Sequence, residues 1–494
     1  MARQERPNIV LIMYDQMRYD CAGFAGSAQV LTPAMDRFAR EGVCFENAYC
    51  ASPLCSPARA SWLSGLYPHA HMQLANYGHR LKGIPGRCLP ERVVTISDVL
   101  AKAGYRCGLA GPWHLGYDEK PQHGYDAMWA PYKYPYPQEA DAYKQHLKRH
   151  GLIETYARGK KGPLGRSADK INARECFADV AATPTAHQRT TWLVDRAIHF
   201  IDTQAGPLFF FASIKDPHPP ILPPQECYDL YDPATCALPR NRQDLLEGKP
   251  AFLRKCSHYG AGDFAPETMR EVMAHYYALI THVDQQVGRF MEALRSKGID
   301  ENTLVAIISD HGEMMGEHGF FAKSLMYEGA VRVPCLLRWP GRLARGTRIK
   351  ELFAGVDLMP TLLDLAGVPL ISPVHGRSMA EAARSGTEPD APNTVFAEIG
   401  DMDEKNDPST PVENLAATMM VREGVWKHIV HRFDPCQELY NLADDSGEMV
   451  NRIDDPAARG QLDRLRRRIH ERLNADGPGP YAWALEMTSD PRSV

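Results

Sequence analysis

No run in the chain reaches the eighteen or so consecutive apolar residues of a membrane-spanning helix. Charge of either sign is not in excess, with 56 Lys and Arg against 61 Asp and Glu and a formal net charge of −5. A weakly acidic chain has no electrostatic footprint for nucleic acid or an anionic membrane, so neither is expected as a partner. Regular cysteine spacing is also missing. The 12 cysteines are scattered without a CxxC pair, which argues against a disulfide framework or a structural zinc module and for small buried hydrophobes in a reducing compartment. The charged tip Met1–Pro7 passes straight into an apolar run, with no signal-peptide apolar region or small-residue cleavage site, so a cytoplasmic location is expected. Repeats and low-complexity tracts are absent.

What the sequence does have is an ordinary globular composition, 44% hydrophobic and 24% charged, over 494 residues. That length predicts a large core with a smaller appended domain. Three apolar runs, Asn8 to Met13, Leu208 to Ser213 and Thr303 to Ser309, each lead into a polar segment. Their continuous apolar character suits strands buried on both faces. Between them, Thr32 caps a predicted helix that starts at Pro33 and stops at Gly42. A longer helix is predicted over Val272 to Leu294 from one apolar stripe. The fold class is therefore α/β, with a large, mostly parallel central sheet flanked by helices. Residues 1–390 form the predicted catalytic domain, with a Tyr- and Pro-rich insertion at about 131–184 over the rim of the sheet. Residues 391–494 form a small C-terminal α+β domain, with short strands at Val395 to Ile399 and Trp426 to Val430 and a charged helix from Pro456 to Leu473. Ligands of such folds sit at the carboxyl ends of strands, where Asp15, His218, Asp310 and His311 fall.

The stretch Cys55-Ser56-Pro57-Ala58-Arg59 carries the most chemistry. Pro57, Ala58, Ala60 and Trp62 read as a helix opening, which puts Cys55 at an N-terminus whose N–H groups favour negative charge. Arg59, one turn on, can point back to hold an anion. A cysteine in such a place is reactive.

Cys55 to Arg59 also matches a C-x-P-x-R signature. With Asn8 to Gln16, Gly111 to Gly116, Asp310-His311-Gly312-Glu313 and Val356 to Gly367 in order, the chain resembles the type I sulfatases of the alkaline phosphatase superfamily. The resemblance covers most of the chain and implies an alkaline-phosphatase-like fold. It also implies hydrolysis of sulfate monoesters, with Cys55 converted by a formylglycine-generating enzyme into formylglycine, whose hydrate attacks sulfur. One divalent metal would be held by Asp15, Gln16, residue 55, Asp310 and His311. His218 and Lys323 would contact the ester oxygen and serve the leaving group, Asn76 would help hold the anion, and His114 would take the proton that expels sulfate.

Three positions depart from the family pattern. Gln16 stands where a second aspartate is usual, His311 where asparagine is frequent, and Pro112 where the family has lysine. Losing that carboxylate and gaining an imidazole makes the site less like an all-oxygen calcium cage and more tolerant of manganese or zinc, and calcium stays among the candidates. The Asp-Gln and Asp-His pairs resemble the phosphonate monoester hydrolase and choline-sulfatase branches. Hydrolysis of a phosphonate monoester or phosphodiester is therefore the alternative activity, an alkyl sulfatase of choline type a further one. Trp129, Tyr132, Tyr134 and Tyr136 can wall an aromatic pocket for aryl esters or equally form an oligomer contact. A homo-oligomer is expected.

Overall fold

Every residue of the stretch Asn8–Asp15 is buried, as a strand covered on both faces must be. It is the central strand β1 of the protein, described here from a computed structural model. The structure describes residues 6–76, 88–116, 121–129, 142–156, 158–160, 162–163, 178–204, 206–255, 265–390, 393–400 and 417–489. The other strands of the main sheet are β2 (Val43–Tyr49), β3 (Arg106–Ala110), β4 (Ala127–Trp129), β5 (Leu208–Pro217), β6 (Thr303–Ser309), β7 (Arg332–Val333), β8 (Cys335–Arg338) and β9 (Thr347–Ala354). Their order is β9-β2-β8-β6-β1-β5-β3-β4, with β7 beside β2. β1 runs parallel to both β5 and β6, and β3 runs parallel to β5 and β4. β8 is antiparallel to its two neighbours. The sheet is thus mostly parallel, with the three predicted apolar runs side by side at its centre.

Side chains alternate across a strand, so each face of β1 feeds its own core. Val10, Ile12 and Tyr14 pack with α1 (Pro33–Glu41), α4 (Arg189–Thr203) and α5 (Pro266–Ser296). Ile9, Leu11 and Met13 pack with α2 (Cys55–Ser64) and α6 (Leu358–Leu365). A further helix, α3 (Ala142–Arg149), precedes α4.

Thr32 stands at the N-cap of α1, but its hydroxyl does not cap the helix; it bonds Asp36 at 3.1 Å. The end N–H groups of Ala34 and Met35 instead donate to the carboxylate of Asp284 on α5, at 2.9 and 2.8 Å. α5 starts six residues before the predicted Val272, with Pro266 in its first turn, where a missing N–H costs nothing.

The C-terminal strands β10 (Thr394–Ile399), β11 (Thr418–Glu423), β12 (Trp426–His431) and β13 (Asp434–Asn441) form an antiparallel meander. A single turn (Pro456–Ala458) leads into α7 (Arg459–Asp476), which packs on it. The two sheets are joined through polar groups. Glu398 of β10 donates its N–H to the Ala51 carbonyl at 2.9 Å, and its carboxylate takes the His69 N–H at 3.0 Å and the Arg472 guanidinium.

Half of the expected insertion, including Tyr132, Tyr134 and Tyr136, lies outside the described residues. Trp129 ends β4, half-buried. Eight of the ten described cysteines are buried. No described helix is long and apolar enough to cross a membrane.

Candidate active site

β1, β5 and β6 end together, and their carboxyl ends deliver Asp15, the Asp216-Pro217-His218 turn and Asp310-His311 to one place. α2 points its N-terminus at the same place. Leu54 is extended, Cys55 begins the helix, and its side chain is buried. Around Cys55 Sγ stand Lys323 Nζ at 3.0 Å, His311 Nε2 at 3.2 Å, and Asp15 Oδ1 and Asn76 Nδ2 each at 3.9 Å. Asn76 also accepts the Ser56 N–H at 3.0 Å, so it holds the helix start as well as facing the sulfur.

Arg59, fully buried, is a strut rather than a free anion clamp. Its Nε donates to Asp310 Oδ2 at 2.9 Å and Nη2 to Asp15 Oδ2 at 3.1 Å. Nη1 donates to Ser213 Oγ at 2.6 Å and to the Pro112 carbonyl at 3.1 Å. Four of its five N–H groups are thereby committed. The carbonyl at Pro112 therefore anchors the arginine, although this chain lacks the family's lysine there. Gly111 makes that approach feasible. At φ +108°, a β-carbon on it would lie 1.7 Å from the Ser213 carbonyl oxygen.

Each carboxylate gives one oxygen to Arg59 and turns the other inward. Asp15 Oδ1 and Asp310 Oδ1 lie 3.8 and 3.6 Å from His311 Nε2. The His311 Nδ1 sits 2.9 Å from the Gly312 carbonyl, which requires a proton on Nδ1 and leaves the Nε2 lone pair facing the cluster. Burial would raise the pKa of Asp15, but His218, Arg59 and Lys323 outweigh it and hold the carboxyl below its usual range. Burial and the Asp15 charge push Asp310 up to about 7. Two carboxylates sharing one guanidinium are thus short of positive charge.

That shortage is what a cation would relieve. One ligand atom from each of Asp15, Cys55, Asp310 and His311 lies within 4.8 Å of all the others, and all four residues are buried. Carboxylate oxygens with an imidazole nitrogen suit a divalent ion. Gln16 is placed otherwise: its Oε1 accepts from Lys323 Nζ at 2.7 Å and its Nε2 donates to Glu313. Its backbone has φ +71°, as His114 has +60° and the residues flanking Lys323, Ala322 and Ser324, have +67° and +75°. Non-glycine residues in this region cluster where a site holds its backbone in place.

Burial works against the Lys323 ammonium, yet Cys55 and Asp15 hold its pKa above the usual lysine value. His218 Nδ1 lies 2.6 Å from the Pro219 carbonyl, so Nδ1 carries the proton; burial and then Lys323 depress its pKa well below the usual value. Burial, followed by Arg59, brings His114 down to about 4. Its carbonyl takes the Ser56 hydroxyl at 2.6 Å.

Three groups were missed from sequence. Ser213 is only the last residue of an apolar run, yet it holds Arg59. Glu313 accepts from Gln16, from the Met315 N–H at 3.0 Å and from the Ala322 N–H, so it ties the 310–324 loop to the end of β1. Lys215, on β5, donates to the Pro219 carbonyl at 3.0 Å, and burial and then Arg189 bring it down to about 7. Only Glu313 carried a signal, as part of the Asp310-His311-Gly312-Glu313 stretch.

A helix-terminal cysteine against a buried lysine ammonium and an imidazole, beside a buried carboxylate pair at the carboxyl ends of parallel strands, defines an α/β enzyme built to accept an anionic ester. A family model described as Sulfatase matches residues 7–368, and the chain belongs to that family, as a sulfuric ester hydrolase. A second model, of the N-sulphoglucosamine sulphohydrolase C-terminal region, matches residues 316–475. An arylsulfatase of Clostridium perfringens is 32% identical over 76% of this chain and 78% of its own length. A choline-sulfatase of Rhizobium meliloti is 28% identical over 93% of this chain and 84% of its own. Among solved structures, the phosphonate monoester hydrolase of Agrobacterium radiobacter superposes with a TM-score of 0.78 at 25% identity, covering 95% of both chains.

Proposed function

We propose that this enzyme hydrolyses aryl sulfate monoesters, with formylglycine made from Cys55 as nucleophile and one divalent ion held by Asp15, Asp310, His311 and residue 55. The observation that carries the reading is the convergence of Lys323, His311, Asp15 and Asn76 on Cys55 Sγ at 3.0–3.9 Å. Calcium and manganese are the favoured ions, with zinc a third; such an ion supplies Lewis-acid charge that polarises an ester oxygen and favours an anionic nucleophile. Gln16 would enter the metal set only by releasing Lys323.

The protein's own groups divide the remaining work. Arg59 holds the outer oxygens of both carboxylates, which fixes the inner ones. Lys323, protonated and beside residue 55, neutralises charge on the ester and gives a proton to the leaving oxygen. His218, neutral in the resting site, presents its Nε2 to the incoming group and becomes a donor when the anion offsets the neighbouring lysines. His114, neutral above about pH 4, is in the correct state to accept the proton whose loss expels sulfate. Asn76 donates to the anion.

Phosphonate monoester hydrolysis is the second reading, favoured by the Agrobacterium radiobacter likeness together with Gln16 and His311. Both esters are singly charged tetrahedral anions with one leaving group. Comparing kcat/KM for an aryl sulfate and the matching aryl phosphonate monoester separates them, and a phosphonate preference of several orders of magnitude defeats the sulfatase reading. Peptide mass spectrometry around residue 55, after co-expression with a formylglycine-generating enzyme, tests the nucleophile; thiol alone defeats it. Cytoplasmic maturation, a homo-oligomer and a domain division at residue 390 belong to the same proposal.

A further inference from the structure

Away from the catalytic centre, three imidazoles meet between α3 and the start of α4. His146 lies in the last turn of α3, His150 follows one turn later, and His187 ends the short turn Thr185–His187 that leads into α4. Ring centres are 4.6 Å apart for His146 and His150, 5.2 Å for His146 and His187, and 4.4 Å for His150 and His187. His146 Nε2 and His187 Nδ1 approach to 3.0 Å. One ring nitrogen from each histidine lies within 4.8 Å of the other two.

The surrounding packing sets these rings before any ion arrives. Tyr143 donates its hydroxyl to the His187 carbonyl at 2.9 Å, and its ring packs 5.6 Å from that of Trp192. The 3.0 Å contact between His187 Nδ1 and Nε2 of His146 needs an unprotonated nitrogen on one side, so a lone pair is already present at the His146 ring or its partner. Arg149 and Arg196 face the same ring and no carboxylate is in the set, which excludes calcium and magnesium and leaves an ion that selects imidazole. Zinc–nitrogen bonds of about 2.0–2.1 Å put tetrahedral nitrogens roughly 3.3 Å apart, close to the His146–His187 approach; small rotations of the exposed His150 complete the set.

We propose that His146, His150 and His187 form a second metal site, for zinc or a similar divalent transition ion, with a solvent-facing fourth position. The ion would clasp α3 to α4, whose first turn reaches the active-site strand: the Thr190 hydroxyl bonds Asp216, two residues before His218. Coordination uses one ring-nitrogen lone pair from each histidine and replaces the His146–His187 hydrogen bond, whose proton moves to the ring's other nitrogen or is released to solvent.

The test uses the full-length protein stripped of metal and titrated with zinc alone, alongside H150A. His150 is exposed, so its replacement leaves the metal-free fold intact, which equal metal-free melting temperatures would verify. Wild type is expected to bind one more equivalent of zinc per chain than H150A and to gain a zinc-dependent rise in melting temperature that H150A lacks. Equal zinc content and equal melting shifts overturn the proposal. Should H150A melt lower without metal, cobalt substitution decides: visible ligand-field bands that persist in the D15N/D310N double variant, which lacks both carboxylates of the Cys55 cluster, support imidazole ligation, and bands that vanish in it overturn it.

Discussion

Arg59→Lys keeps the charge beneath the Asp15 and Asp310 carboxylates and removes the fork. The guanidinium reaches Asp15, Asp310, Ser213 and the Pro112 carbonyl at once, at 2.6–3.1 Å, from inside a fully buried site. A lysine ammonium is a point charge that cannot span two carboxylates on adjacent strands. If it retains two of the four bonds, the loss at about 1.5–3 kcal/mol per charge-assisted bond is about 3–6 kcal/mol. Breaking a buried ion pair costs a similar amount, about 3–5 kcal/mol. Scanning fluorimetry of the metal-free protein should show melting lowered by roughly 3–6 °C. Because the inner oxygens of Asp15 and Asp310 lose their tether, kcat/KM for an aryl sulfate should fall by at least about 10²-fold, the scale expected of a 1 Å misplacement. The assay includes the mass of the residue 55 peptide, so that failed maturation is not mistaken for failed catalysis. Melting within 1 °C of wild type and near-normal turnover in matured R59K would show that these bonds do not hold the site.

Lys323→Met removes the proton donor proposed for the leaving oxygen; kcat should fall about 10²–10⁴-fold, most for poor leaving groups, and a series of phenyl sulfates with no added dependence on phenol pKa would contradict it. Cys55→Ala should abolish turnover yet still bind the catalytic metal through Asp15, Asp310 and His311, seen by calorimetry; lost binding would place the sulfur among the essential ligands. Burial raises Asp284 to about 7. Its folded pKa exceeds the unfolded carboxyl value of about 3.9, so its contribution to stability is whole below about pH 4 and declines up to about pH 7, by about 4 kcal/mol for three units at 1.36 kcal/mol each. Asp284→Asn should flatten that decline, and parallel melting curves for variant and wild type between pH 4 and 7 would refute the assignment.

What was legible in the sequence is what neighbouring residues determine. The continuous apolar run from Asn8 to Met13 calls for cover on both faces, and a proline two residues past Cys55 marks a helix start, so the parallel core and the position of Cys55 follow from local pattern. The partners of each site residue do not. Arg59 read as an anion holder because its carboxylate partners lie 44 and 251 residues away, and it is those partners that occupy its donors. Gln16 read as a ligand by its position next to Asp15, while Lys323 and Glu313, 307 and 297 residues on, claim its amide. The cap of α1 moved from Thr32 to Asp284 for the same reason, since a buried carboxylate from a packed helix meets two end N–H groups better than a local hydroxyl already bonded to Asp36. Residue type and spacing select which groups can do chemistry. Which charge each one faces is decided by strand order, and in this fold that order brings together Asp15 and Asp310, whose inner oxygens face His311 Nε2 at 3.8 and 3.6 Å.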